Sequence, residues 1–222
     1  MNNPVIQLIV LAGIAVFLIL KLRSVLGTRD GFEKPRVEND MSQAQGTNSR
    51  PAFEVIDGGP DEDITDNVPE HSPAAEALTA MKRIEPDFNV SDFVQGARGA
   101  YEMILMAFEN GELDDVRSFL SDDVFDAFVD VIGAREDQGL TVEATFGGVR
   151  EISLVDAEFD RASNLAEIHV RLVGEISSVV KNAEGEVIEG SADVMKRQKD
   201  TWTFARTMGS NDPNWQLVAT GG

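Results

Sequence analysis

Leu165-Ala166-Glu167-Ile168-His169-Val170-Arg171-Leu172 is the stretch that decides the fold. Ala166, Ile168, Val170 and Leu172 alternate with Glu167, His169 and Arg171. A strand sends successive side chains to opposite faces, so this spacing makes one apolar and one wet surface. The same period begins after Gly139, where Val142, Ala144 and Phe146 alternate with Thr141, Glu143 and Thr145. Gly147-Gly148 then reads as a hairpin turn, followed by a second strand from 149 to about 159. Asp160-Arg161-Ala162-Ser163-Asn164 is a turn, and 181–186, with Asn182 and Gly185, is another hairpin. A fourth strand over 187–206 and a fifth over 215–220 complete an antiparallel meander. Trp202 and Trp215 are expected to be mostly buried on these last two strands, with the chain turning at Asn211-Asp212-Pro213.

Helices precede the strands. Pro73 followed by Ala74, Ala77, Leu78, Met81 and Ile84 has helical spacing, and Pro86 ends the run. Asn89 or Ser91 suits the cap of a second helix, whose stripe is Phe93, Ala97, Tyr101, Ile104, Leu105 and Phe108, and Gly111 marks its end. A short helix over 113–120 follows. Ser121 caps another, with Asp122 and Asp123 in its first turn and Val124, Phe125, Phe128, Val129 and Ile132 on its apolar face. Helices followed by a meander of strands is an α+β pattern.

Further toward the N-terminus the chain changes character. Residues 4–20 hold no charge, and Lys21, Arg23 and Arg29 follow. A helix from Pro4 to about Leu22 is roughly 28 Å long, enough for a hydrocarbon core. A cleaved signal peptide would carry its charge before the run and a small-residue cleavage site after it. Neither is present, so residues 1–27 are read as a single transmembrane anchor. Lys and Arg beyond the span place the rest of the chain on the cytoplasmic side. Residues 28–72, with the acidic tract Asp61-Glu62-Asp63 and few large apolar side chains, are expected to be a disordered linker. A tether of this length spans roughly 35–40 Å on average. Phe53-Glu54-Val55-Ile56-Asp57 is a small apolar island in it, read as a local cluster or a short docking motif.

Composition narrows function. The 222 residues carry a net charge of −20, which repels phosphate backbones and excludes nucleic acid as a partner class. There are no cysteines, which removes disulfides, thiol catalysis and thiolate metal sites. The two histidines form no ligand cluster, so no metal or cofactor is expected. His169 alternates away from Ile168 and Val170, which marks an exposed strand histidine and not an acid–base catalyst.

Specific stretches carry a resemblance. They are Phe93-Val94-Gln95-Gly96-Ala97-Arg98 leading to Ala107-Phe108-Glu109-Asn110-Gly111, then Arg135-Glu136-Asp137-Gln138-Gly139. The C-terminal part adds Asp200-Thr201-Trp202-Thr203-Phe204-Ala205-Arg206 and Asp212-Pro213-Asn214-Trp215-Gln216-Leu217-Val218-Ala219-Thr220. In these the region from 73 to 222 resembles the mitochondrial import inner-membrane translocase subunit 44 family, in its bacterial, import-motor-like adaptor form. The resemblance implies a cone-shaped α+β fold, similar to nuclear transport factor two, with a curved antiparallel sheet around a long helix and a large apolar pocket. It implies a non-enzymatic adaptor at the inner membrane of an alphaproteobacterium, and a lipid-binding pocket as the alternative use of the domain. Mitochondrial members dock a chaperone and touch anionic lipid through basic helices ahead of the domain. This chain lacks that long basic region.

Two sets of residues follow as site candidates. Phe93, Tyr101, Phe108, Phe125, Phe128, Phe146, Trp202 and Trp215 are either core or the lining of the cone's pocket. Leu78, Met81, Lys82 and Arg83, on the first helix of the domain, are candidates for lipid or partner contact. The mostly Ala face of that helix suits packing on the domain equally.

Overall fold

The computed structural model describes residues 61–221. The expected span and most of the expected linker lie outside the described residues. Asp61 accepts the Asp63 N–H and starts a single helical turn, α1 (Glu62–Thr65). The Asp63 carboxylate then reaches a different part of the chain and accepts the N–H groups of Val90 and Ser91 at 2.7 and 2.9 Å. Lys82 pairs with the same carboxylate at 2.7 Å and with Asp61 at 2.8 Å. Ile64 and Val68 are buried beside it. Residues 61–72 are therefore part of the domain, which corrects the expectation that the linker extends to 72. The acidic tract is held here because its charges have a cation and helix amides to satisfy them, and two apolar side chains bury alongside.

The next helices follow their sequence signals. Ser72 caps α2 (Pro73–Ile84) by accepting the Ala75 N–H, with proline in the first turn. Asn89 caps α3 (Val90–Asn110) through the Asp92 N–H, and Gly111 ends it in the left-handed region at φ 74°. The expected short helix is a 3-10 helix, Asp114–Phe119. Ser121 caps α4 (Asp122–Asp137) through the Val124 N–H.

Five strands form one antiparallel sheet: β1 (Thr141–Asp160), β2 (Leu165–Lys181), β3 (Val187–Gly190), β4 (Lys196–Thr207) and β5 (Gln216–Gly221). The order is β1-β2-β4-β5, with β3 beside the end of β2. Two expectations are corrected. Gly147-Gly148 is not a turn, because β1 runs straight through it and pairs with β2 on both sides. The register shifts between Phe146 and Gly148, so the glycines form a bulge that takes up one extra residue. The second correction concerns 187–206, which is not one strand, since the chain leaves the sheet between β3 and β4. Gly190 makes that exit at φ 82°, where a Cβ would run into the Ser178 carbonyl.

The result is an α+β fold with the antiparallel sheet packed against helices. Ile168, Val170, Leu172, Trp202, Phe204 and Leu217 share one core with Leu78, Met81, Phe93, Tyr101 and Ile104. β5 is covered at its edge, where Ser121 donates its N–H to the Leu217 carbonyl at 3.0 Å and Leu120 bridges Leu217. Among the described residues no helix is long and apolar enough to cross a membrane.

Candidate functional site

Tyr101 occupies the centre of the space between α3 and the sheet. It is fully buried. Its ring lies 4.7 Å from Trp202 and 6.0 Å from Phe146, centroid to centroid. Its hydroxyl donates to Asp200 Oδ2 at 2.5 Å. Gly174 makes room for it: a Cβ there would come within 2.9 Å of Tyr101 Cε1. Burial pushes both the phenol and the Asp200 carboxyl up, and the hydrogen bond opposes this for Asp200 while raising Tyr101 further.

Phe108 and Phe128 meet in a tilted pair, 4.6 Å between ring centroids, where α3 meets α4, and Arg135 lies over Phe108 at 4.5 Å. Phe125 is half-buried under Arg117, 4.6 Å from its ring. Burial raises the Glu109 carboxyl on this face, with Arg135 acting against it. Phe108 and Phe128 thus pack helix on helix, and Phe125 packs beneath Arg117.

Phe93 and Trp215 do face one. A groove of about 480 Å³ lies where the α2–α3 loop meets β4 and the approach to β5. Its apolar wall is Phe88, Phe93 and Trp215, with Trp215 4.8 Å from Phe93 and 5.8 Å from Phe88. Arg206 forms the floor. Its guanidinium pairs with Glu85, donates to the Pro213 carbonyl at 3.1 Å and lies 5.4 Å from the Trp215 ring centre. Glu85 also accepts the Gly209 N–H at 2.7 Å, so the loop is pinned to the sheet. Asp87 and Asp92 stand on the rim. A second hollow of about 380 Å³, beside α1 and α2, is lined by polar residues including Glu70, His71 and Arg83.

Of the eight aromatic candidates, Phe93 and Trp215 line the groove, Tyr101, Phe128 and Trp202 are buried in the core, and Phe108, Phe125 and Phe146 pack partly buried against it. Trp202 is buried on β4 as expected, but Trp215 is only half-buried and lies just before β5. Trp202 packs inward on Tyr101, while Trp215 precedes β5 and turns toward the α2–α3 loop. On α2, Leu78 and Met81 are fully buried, which corrects the expectation that they share a contact face with Lys82 and Arg83. Their mostly alanine surroundings let the helix lie close to β1, and burial follows. Lys82 is held by Asp61 and Asp63, and Arg83 is exposed. His169 is half-buried, with Nδ1 2.8 Å from Thr203 Oγ1. Sequence reasoning passed over Phe88, Glu85 and Arg206. An aromatic in the short Pro86-Asp87-Phe88-Asn89 loop was the one local signal for the groove. Among the described residues no group of three or more His, Asp or Glu is arranged to hold a metal ion.

The model of the Tim44-like domain matches residues 74–222. Mouse mitochondrial import inner membrane translocase subunit TIM44 is 24% identical over 148 residues, covering 65% of this chain. The rat and human proteins of the same name are 25% and 24% identical over the same length. The match spans 32% of the length of each relative. Among solved structures, the intermembrane space region of chloroplast protein ARC6 aligns with a TM-score of 0.35 at 15% identity, over 65% of this chain and 94% of that one. With the family model matching residues 74–222, well over half of the sequence, this chain belongs to the Tim44-like domain family.

Proposed function

We propose that this protein is a non-enzymatic, membrane-anchored adaptor that holds a protein partner at the cytoplasmic face of a bacterial inner membrane, in protein translocation or membrane-protein assembly. The observation that carries this reading is the Tim44-like match over 74–222, in relatives named as subunits of an inner membrane import translocase. The apolar run at 4–20 followed by Lys21, Arg23 and Arg29 supports one span with the domain inside. We read the domain as the cone-shaped type, similar to nuclear transport factor two. The bulges at three points along β1 support that reading, because each bends the strand. The alternative use, as a carrier of a lipid or other hydrophobic ligand, has less support. Tyr101, Phe146 and Trp202 pack against one another where such a ligand would lie.

The test is fractionation with crosslinking. The full chain is expected in the membrane pellet after a carbonate wash, and a chain lacking residues 1–27 in the soluble fraction. A cytoplasm-dependent reporter fused after Gly222 is expected to be active. In-cell crosslinking from the domain surface is expected to capture a component of a translocation or assembly machine. A truncated chain that stays in the pellet overturns the anchor, and a domain that crosslinks to lipid alone overturns the adaptor.

A further inference from the structure

The groove beside Trp215 has walls that suit an apolar side chain and a rim that selects charge. Phe88, Phe93 and Trp215 form the wall. Glu85 is engaged by Arg206 and the Gly209 N–H, whereas Asp87 and Asp92 have no ion pair among the described residues. The groove also abuts the N-terminus of α3, a position that ordinarily attracts anions through its free N–H groups. Here those groups are taken. Val90 and Ser91 donate to Asp63, and Asp92 donates to the Asn89 side chain. A phosphate or carboxylate ligand would find no free amide there and two like charges on the rim.

The same electrostatics disfavour the nearest alternatives. A second copy of a chain with net charge −20 brings more negative charge to an acidic rim. The chain's own apolar island at 53–57 carries Glu54 and Asp57. We infer that the groove docks a cationic, amphipathic segment of a partner protein. An aliphatic or aromatic side chain of that segment seats against Phe88 and Trp215, and a neighbouring Lys or Arg pairs with Asp87 or Asp92. This deepens the adaptor reading and rests on it, naming the chemistry of the partner and where it sits.

The experiment uses the full chain in phosphatidylcholine nanodiscs, with empty nanodiscs subtracted. The probe is a labelled hexapeptide, Gly-Lys-Leu-Leu-Lys-Gly, followed by fluorescence polarisation. The paired variant Asp87→Asn with Asp92→Asn is expected to bind at least tenfold more weakly with an unchanged melting temperature. Trp215→Ala is expected to weaken binding as well, and replacing both lysines of the peptide by glutamate is expected to abolish it. No binding by the parent, or equal binding by the neutralised variant or of the acidic peptide, overturns the inference. A photo-crosslinker at position 87 in cells separates this from the adaptor reading. Capture of a basic, apolar segment supports both. Capture from other surfaces only overturns the groove and leaves the adaptor standing, while capture of no protein from any surface overturns the adaptor alone if the peptide still binds.

Discussion

Tyr101 shows how single residues set this domain. It fills the space under the sheet only because Gly174 opposite has no side chain. Gly174→Ala is expected to lower stability by about 1–3 kcal/mol, since the ring must move in a packed core. Urea denaturation with an unchanged slope measures it, and a neutral result would mean that Tyr101 shifts freely. Trp202→Ala removes a buried indole and is expected to cost about 3–5 kcal/mol. Trp215→Ala, half-buried at the groove, is expected to cost about 1–2 kcal/mol. Equal losses from both would place Trp215 in the core instead. Asp200 supplies a pH test. Burial holds its folded carboxyl above the usual range. The unfolded chain therefore releases that proton first, and stability falls as pH rises through the folded value. Asp200→Asn keeps an acceptor for the Tyr101 hydroxyl without the charge. It is expected to melt as high as the parent or higher at pH 7, with the gap closing in acid. A lower melting temperature at pH 7 would mean that the charge itself is needed.

Among the elements, α1 is the one that sequence pattern hid. It is a single turn, yet its Asp63 ties together α2 through Lys82 and α3 through two amides. Burial works to raise the Asp63 carboxyl, but the Lys82 ammonium and the Val90 and Ser91 amides outweigh it and hold the carboxyl at about 2. Because the folded value is depressed, the stabilisation is present above the unfolded value of 3.8 and is lost as pH falls toward about 2. After screening it is on the order of 1 kcal/mol. Asp63→Ala is expected to cost about 1–2 kcal/mol at pH 7, as loss of a helix cap does. The difference from the parent should shrink over that acid window. A constant difference between pH 6 and pH 2 in a melting series would show that the carboxylate charge contributes nothing.

For the whole domain, the consequence is a boundary. The family match starts at 74, but Ile64 and Val68 ahead of it are already buried in the core. A chain of residues 61–222 is expected to be more stable than one of 74–222 by about 2–4 kcal/mol. Burying Ile64 and Val68 and keeping the Asp63 cap account for the gain, less the entropy of ordering the segment. Thermal melts of the two chains test this, and identical melting temperatures would make 61–73 an ornament of the domain and not part of it. The groove lies at the junction of the α2–α3 loop with β4 and the approach to β5, so a partner seated there would touch segments whose mutual placement Glu85 and Arg206 maintain.

Much of this was legible in the sequence. The period-two run at 165–172 named a strand, and Pro73, a cap at Asn89 or Ser91 and a cap at Ser121 marked three helix starts. These are local facts: a cap acts within one turn, and a pleat repeats every two residues. What only the tertiary structure decided is everything that depends on what lies opposite. Gly147-Gly148 looks the same locally as a turn or a bulge, and pairing with β2 on both sides made it a bulge. The acidic tract at 61–63 looks like a solvated run until Lys82 and the α3 amides meet it. Leu78 and Met81 look like a contact face until β1 covers them. The groove itself joins Phe88 to Trp215, residues far apart in the chain whose neighbourhood no local pattern encodes, because a cavity wall is set by packing between elements and not by the order of residues within one.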